Sequence, residues 1–156
     1  MKNILQPNLQ FTAVYEVEIH YIRPVFSTLS QITRPEDAVK LIHIFTKNTT
    51  LDVKEYFWVV LLNTANRLLG IAEVAKGNEK CVIVPNREIF QLALKTNACA
   101  IILCHNHPSG SLKPSEGDIN ITKKIIKAGK LLDIQILDHL IITSETFLSM
   151  SNEGYF

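Results

Sequence analysis

An α/β fold, a sheet sandwiched by helices, is predicted by three features of this chain. Nearly continuous apolar runs of strand length occur at 56–62 and 98–104, with another apolar segment at 134–143, and these read as strands. Segments with apolar residues at helical spacing separate them. The resulting order is strands, helix, strand, helix, strands, an alternation typical of helices packed on a sheet.

The elements follow in order. Val14 to Tyr21 alternates and reads as a strand. Thr33-Arg34-Pro35-Glu36-Asp37 is a helix start with Thr33 as the candidate cap, and Ala38, Leu41, Ile42 and Phe45 then recur at helical spacing. Asn48-Thr49-Thr50 is expected to end that helix. Residues 1–52 thus form an N-terminal extension of a strand and a helix, and residues 53–156 the main domain. In that domain Glu55 heads the Tyr56 to Leu62 strand, Asn63-Thr64-Ala65-Asn66 turns the chain, and Arg67 to Ala75 returns as a hairpin. Lys76 to Glu79 turns again, and Cys81 to Val84 is a further strand. Pro85-Asn86-Arg87-Glu88 opens a helix with Ile89, Phe90, Ala93 and Leu94 as its apolar face. Ala98 to Cys104 is a buried strand, and a helix from Ser115 is expected to stop near Gly129 or Lys130. Ile134 to Thr143 is a strand and Phe147 to Met150 a short last one.

Composition sets the class. The chain has 156 residues, 47% hydrophobic and 20% charged, which is ordinary for a soluble globular domain. Its 16 basic and 15 acidic residues give a net charge of +1, so no domain-wide basic excess points to nucleic acid. The three cysteines, Cys81, Cys99 and Cys104, are odd in number and suggest a reducing compartment. There is no apolar signal core at the N-terminus, and no apolar run approaches the ~20 residues of a spanning helix, so the expected location is the cytoplasm.

Residues 105–118 carry the chemistry. They read His105-Asn106-His107-Pro108-Ser109-Gly110-Ser111-Leu112-Lys113-Pro114-Ser115-Glu116-Gly117-Asp118. On extended backbone His105 and His107 point to one side. Pro108 and Pro114 stiffen the loop, and Gly110 permits a tight bend. A strand end, a loop and a helix start can therefore aim two imidazoles and the Asp118 carboxylate at one point, which is how a catalytic Zn2+ is held with a fourth position open to water. The competing reading is a pair of loop histidines bonded to neighbouring carbonyls, with Asp118 as a first-turn acid favoured by the helix dipole. Ser115 is either the helix N-cap or a donor to the oxyanion formed when an activated water attacks a carbonyl.

His105-x-His107, seven residues, then Ser115-x-x-Asp118 resembles the motif of the JAMM (MPN-plus) zinc metalloproteases. The text His105-Asn106-His107-Pro108-Ser109-Gly110, Pro114-Ser115, Asp118 and Leu137-Asp138-His139-Leu140-Ile141-Ile142 resembles the RadC branch, over about residues 53–156. That resemblance implies a JAB/MPN fold, a cytidine-deaminase-like mixed sheet sandwiched by helices. It implies zinc on His105, His107 and Asp118, with Ser115 stabilising the oxyanion. A glutamate on the first core strand is then the general base: Glu55 matches that location, and Glu73 on the returning strand is the alternative. The implied activity is a zinc-dependent peptidase or isopeptidase acting on a protein or peptide; the alternative is a non-catalytic, metal-bound module that docks on protein or DNA in repair or recombination. Residues 1–52 show no Gly-rich helix-hairpin-helix, so the chain resembles a short, stand-alone member. It also carries Pro85-Asn86 before Arg87-Glu88 where many relatives have His-Pro.

Other chemistry-bearing residues read as supporting ones. His139, inside an apolar strand, is expected to support the site or the fold rather than bind the metal directly. Cys104 points away from His105 and is expected to be a core thiol. Lys123, Lys124, Lys127 and Lys130 form a solvated helix edge. The letters His105-Asn106-His107 are not an HNH nuclease signature, which is spread over a ββα unit. The His-x-Glu and Pro-Cys-x-x-Cys of zinc deaminases do not occur.

Overall fold

The computed structural model describes residues 21–22, 30–46, 51–77 and 84–156. Eight elements follow one another: α1 (Pro35–Phe45), β1 (Tyr56–Leu62), β2 (Leu68–Lys76), α2 (Asn86–Lys95), β3 (Ala100–Asn106), α3 (Glu116–Leu131), β4 (Gln135–Ile142) and β5 (Phe147–Ser149). The five strands form one mixed sheet in the order β2-β1-β3-β4-β5. β1 is antiparallel to both β2 and β3, β3 is parallel to β4, and β4 is antiparallel to β5. The strands expected at 14–21 and 81–84 lie almost wholly outside the described residues.

Burial explains the two apolar runs. β1 and β3 lie inside the sheet, and all seven residues of each are buried. Successive side chains go to opposite faces, so each strand feeds two cores. Phe57, Val59, Leu61, Ile101 and Leu103 meet Ile89, Phe90 and Ala93 of α2 and Ile125 of α3. Tyr56, Trp58, Val60, Leu62, Ile102 and Cys104 meet Ala38, Val39 and Ile42 of α1. The helix assigned to the N-terminal extension thus packs on the second face of the sheet.

Several local expectations shift. Arg34, not Thr33, is the N-cap of α1; the Asp37 carboxylate accepts from the Thr33 and Arg34 backbone N–H groups at 3.1 and 3.3 Å, and Thr33 donates its hydroxyl to the same oxygen. α1 ends at Phe45, and Asn48–Thr50 lie outside the described residues. Leu94 is 58% exposed, because Ile89, Phe90 and Ala93 already fill the α2 contact. Phe45 is likewise half exposed at the end of α1. α3 runs past Gly129 to Leu131. Gly129 does not end the helix. It lets β4 approach, for a Cβ there would lie 2.5 Å from the Ile134 carbonyl oxygen.

Candidate metal centre

β3 extends through His105 and Asn106, so His105 is a strand residue rather than a loop residue. Alternation puts it on the Leu103 face, under α3, and its ring stacks on Phe57 at 6.0 Å between centroids. His107 follows the strand and donates its N–H to the Ile142 carbonyl at 3.1 Å. The chain then turns through Gly110, which donates its N–H to the His107 carbonyl at 3.0 Å and adopts a φ of 75° that favours glycine. Ser115 caps α3. Its Oγ accepts the Asp118 N–H at 3.1 Å, and Asp118 Oδ2 accepts both the Ser115 N–H and the Ser115 hydroxyl at 2.7 Å. This reciprocal cap fixes the carboxylate relative to the loop.

These supports bring His105, His107 and Asp118 together. One ligand atom from each lies within 4.8 Å of the others, and among the described residues no other such group is found. His105 Nε2 is 3.0 Å from His107 Nε2 and 3.3 Å from Asp118 Oδ1, and His107 Nε2 is 3.6 Å from Asp118 Oδ2. A tetrahedral zinc with ligands at about 2.0–2.1 Å spaces neighbouring ligand atoms about 3.3–3.4 Å apart. The donor chemistry fits as well. His107 Nδ1 donates to the Ser111 carbonyl at 2.7 Å, so a neutral ring turns a bare Nε2 inward. Two nitrogens and a carboxylate facing one another at these distances repel unless a proton or a metal cation lies between them. The residues therefore suit a metal ion.

The electrostatics agree. Burial would raise the Asp118 pKa, but the neighbouring His105 and His107 imidazoles, with the Ser115 hydroxyl, hold it well below the usual carboxylate range. The Asp118 hydrogen bond raises the His107 pKa against the effect of burial, with further help from the Ser111 carbonyl and Glu55. His139 is fully buried, and burial with the nearby His105 pushes its pKa well down.

The other expected residues fall in distinct places. Phe57 pairs with His105 across the β1–β3 ladder, and Glu55 lies two residues before Phe57, just ahead of β1. The Glu55 pKa is raised by burial, lowered by His105 and His107, and raised by Asp118, as befits a carboxyl at the rim of the triad. Glu73 is exposed and sits opposite Trp58, whose side chain packs on the other side of the sheet. His139 lies behind His105, with its Nε2 2.8 Å from His105 Nδ1. Cys104 is fully buried on the α1 face, and burial with the Asp138 charge raises its thiol pKa. Lys123, Lys124, Lys127 and Lys130 are all exposed.

Two supports are absent from the sequence reading. Asn106, fully buried between the histidines, accepts the Tyr56 N–H at 2.8 Å and donates to the Leu51 and Lys54 carbonyls at 2.6 and 2.7 Å. It thereby pins the backbone on both sides of Glu55. Thr122 is buried one turn after Asp118 on α3 and meets His139. The i, i+4 spacing from Asp118 is a signal that could have found Thr122; Asn106 had only its place between two histidines.

Comparison with known proteins agrees with this geometry. The family model described as the RadC-like JAB domain matches residues 32–155. A UPF0758 protein of Flavobacterium johnsoniae is 42% identical over 137 residues, covering 82% of this chain and 60% of the relative. One from Clostridium kluyveri is 44% identical over 124 residues, covering 80% and 53%. One from Finegoldia magna is 48% identical over 102 residues, covering 65% and 46%. The chain thus spans about half the length of the curated relatives it matches. With that match over most of its length, on a mixed sheet carrying a His-His-Asp cluster, the chain belongs to the RadC-like JAB domain family.

Proposed function

We infer that this domain is a zinc-dependent hydrolase of amide or isopeptide bonds. The observation that carries the reading is the inward convergence of His105 Nε2, His107 Nε2 and the Asp118 carboxylate, with Glu55 at the rim. Zinc held there supplies Lewis acidity, polarising a carbonyl and lowering the pKa of water toward about 7. His105, His107 and Asp118 would hold that ion. Glu55 takes the proton of the attacking water and returns it to the leaving amine; its raised pKa suits a group that must both accept and donate. Phe57 walls the inner side of the site and keeps water from His105.

Ser115 has two tasks in sequence. Its single hydroxyl proton rests on Asp118 Oδ2. To stabilise an oxyanion it swings that proton to the substrate, while the Ser115 N–H keeps its bond to Asp118 Oδ2.

The test uses zinc-loaded protein and a panel of peptide and isopeptide substrates. Wild type is expected to cleave a member of the panel, and Glu55→Gln to keep about one zinc per chain while losing at least 100-fold in rate. Cleavage that survives Glu55→Gln would place the base elsewhere. Stoichiometric zinc with no cleavage of any amide, and zinc-dependent capture of protein or DNA instead, would replace the hydrolase by a binding module.

A further inference from the structure

His107 and His105 present their Nε2 atoms by different means. A single loop carbonyl, that of Ser111, holds the His107 proton on Nδ1. His105 Nδ1 instead meets another imidazole, His139 Nε2, at 2.8 Å. A contact between two imidazoles works in either direction, so it alone does not say which ring carries the proton.

The direction is set farther back. The Thr122 hydroxyl lies 2.5 Å from the Asp118 backbone carbonyl and 2.5 Å from His139 Nδ1. A carbonyl only accepts, so the hydroxyl proton goes to Asp118. The Oγ then offers His139 only lone pairs, and His139 Nδ1 must carry a proton. A neutral imidazole has one N–H, so His139 Nε2 is bare and accepts from His105 Nδ1. His105 in turn keeps a bare Nε2, the atom that faces Asp118 and His107. The chain of bonds begins at the backbone of one metal-facing residue and ends at the ring of another.

We propose that Thr122 and His139 are positioning residues of the metal centre: together they fix His105 in the Nδ1–H tautomer and keep its Nε2 free for the ion. This rests on the metal-site reading above and deepens it. Thr122 touches neither the triad's ligand atoms nor solvent, being fully buried. Its hydroxyl nevertheless controls the triad. In Thr122→Val the shape is kept and the acceptor lost. His139 then moves its proton to Nε2, donates to His105 Nδ1, and drives the His105 proton onto Nε2, where it blocks the ion.

Two measurements test this. Chelator competition with zinc is expected to show affinity reduced about 10- to 100-fold in Thr122→Val and largely restored in Thr122→Ser, which regains the hydroxyl. Two-bond 1H–15N imidazole correlations on the metal-free chain should show His105 protonated at Nδ1 in wild type and at Nε2 in Thr122→Val. An unchanged His107 pattern reports that the variant is folded. Wild-type zinc affinity in Thr122→Val, or a wild-type His105 protonated at Nε2, overturns the proposal. If wild type binds no zinc but His105 is protonated at Nδ1, the relay stands and the metal reading falls.

Discussion

Asn106 shows how one residue can serve a site it does not enter. Its side chain goes to the opposite side of β3 from His105 and holds three backbone groups of the 51–56 segment. Asn106→Ala removes those three hydrogen bonds, at a cost of about 2–4 kcal/mol in urea unfolding. Asn106→Asp should be worse, since it turns a second oxygen toward the Leu51 and Lys54 carbonyls. A loss under about 0.5 kcal/mol for either variant would mean that water replaces the amide. At this scale the triad was legible because its three members lie within 14 residues of sequence and have fixed chemical types. Asn106 was not, because its partners are 50 to 55 residues away. The Ser115 choice between cap and oxyanion donor was also beyond the sequence; the structure shows the cap in place.

At the scale of elements, β3, the 107–115 loop and α3 form one unit that carries the ligands. The close passage of α3 and β4 sets the depth of that unit. Gly129 is the contact point, with Ile134 oxygen 2.5 Å and Ile136 Cδ1 3.2 Å from a Cβ placed there. On an exposed helix Gly→Ala would gain about 1 kcal/mol. Here the sign reverses: Gly129→Ala is expected to lose about 1–3 kcal/mol in chemical unfolding, because backbone must move. A stabilised variant would show that α3 and β4 can part freely. The strands β1 and β3 were legible as apolar runs because both faces are covered. Element ends were less so. Leu94 has the spacing of a core residue but turns to solvent, and α3 continues two residues past its glycine. In both cases packing between distant elements decides, and local pattern does not contain it.

For the whole molecule, the ligands join a strand, a loop and a helix, so an ion bound to the folded form stabilises it by mass action. The pH dependence has a definite sign. In the metal-free form the raised His107 pKa means that its pairing with Asp118 stabilises fully below the unfolded His value and is lost as pH rises through the folded value. Zinc competes with that proton, so its binding strengthens over the same range. This competition makes the zinc-induced rise in Tm larger at pH 8 than at pH 6; thermal scans at the two pH values check it, and an equal or smaller rise at pH 8 would contradict proton–zinc competition at His107. Among the described residues no helix is long and apolar enough to cross a membrane. The α/β architecture followed from the order of runs and periodic segments, and the family followed from one motif. The packing of α1 on one sheet face did not, because a helix 11 residues long announces its apolar stripe but not its partner.

The most direct measurement is the zinc content of the purified chain and of its His107→Ala variant. About one zinc per chain, lost in the variant, is the result predicted here. No zinc in the wild type, even after zinc is added back, would contradict the metal centre on which the hydrolase reading depends.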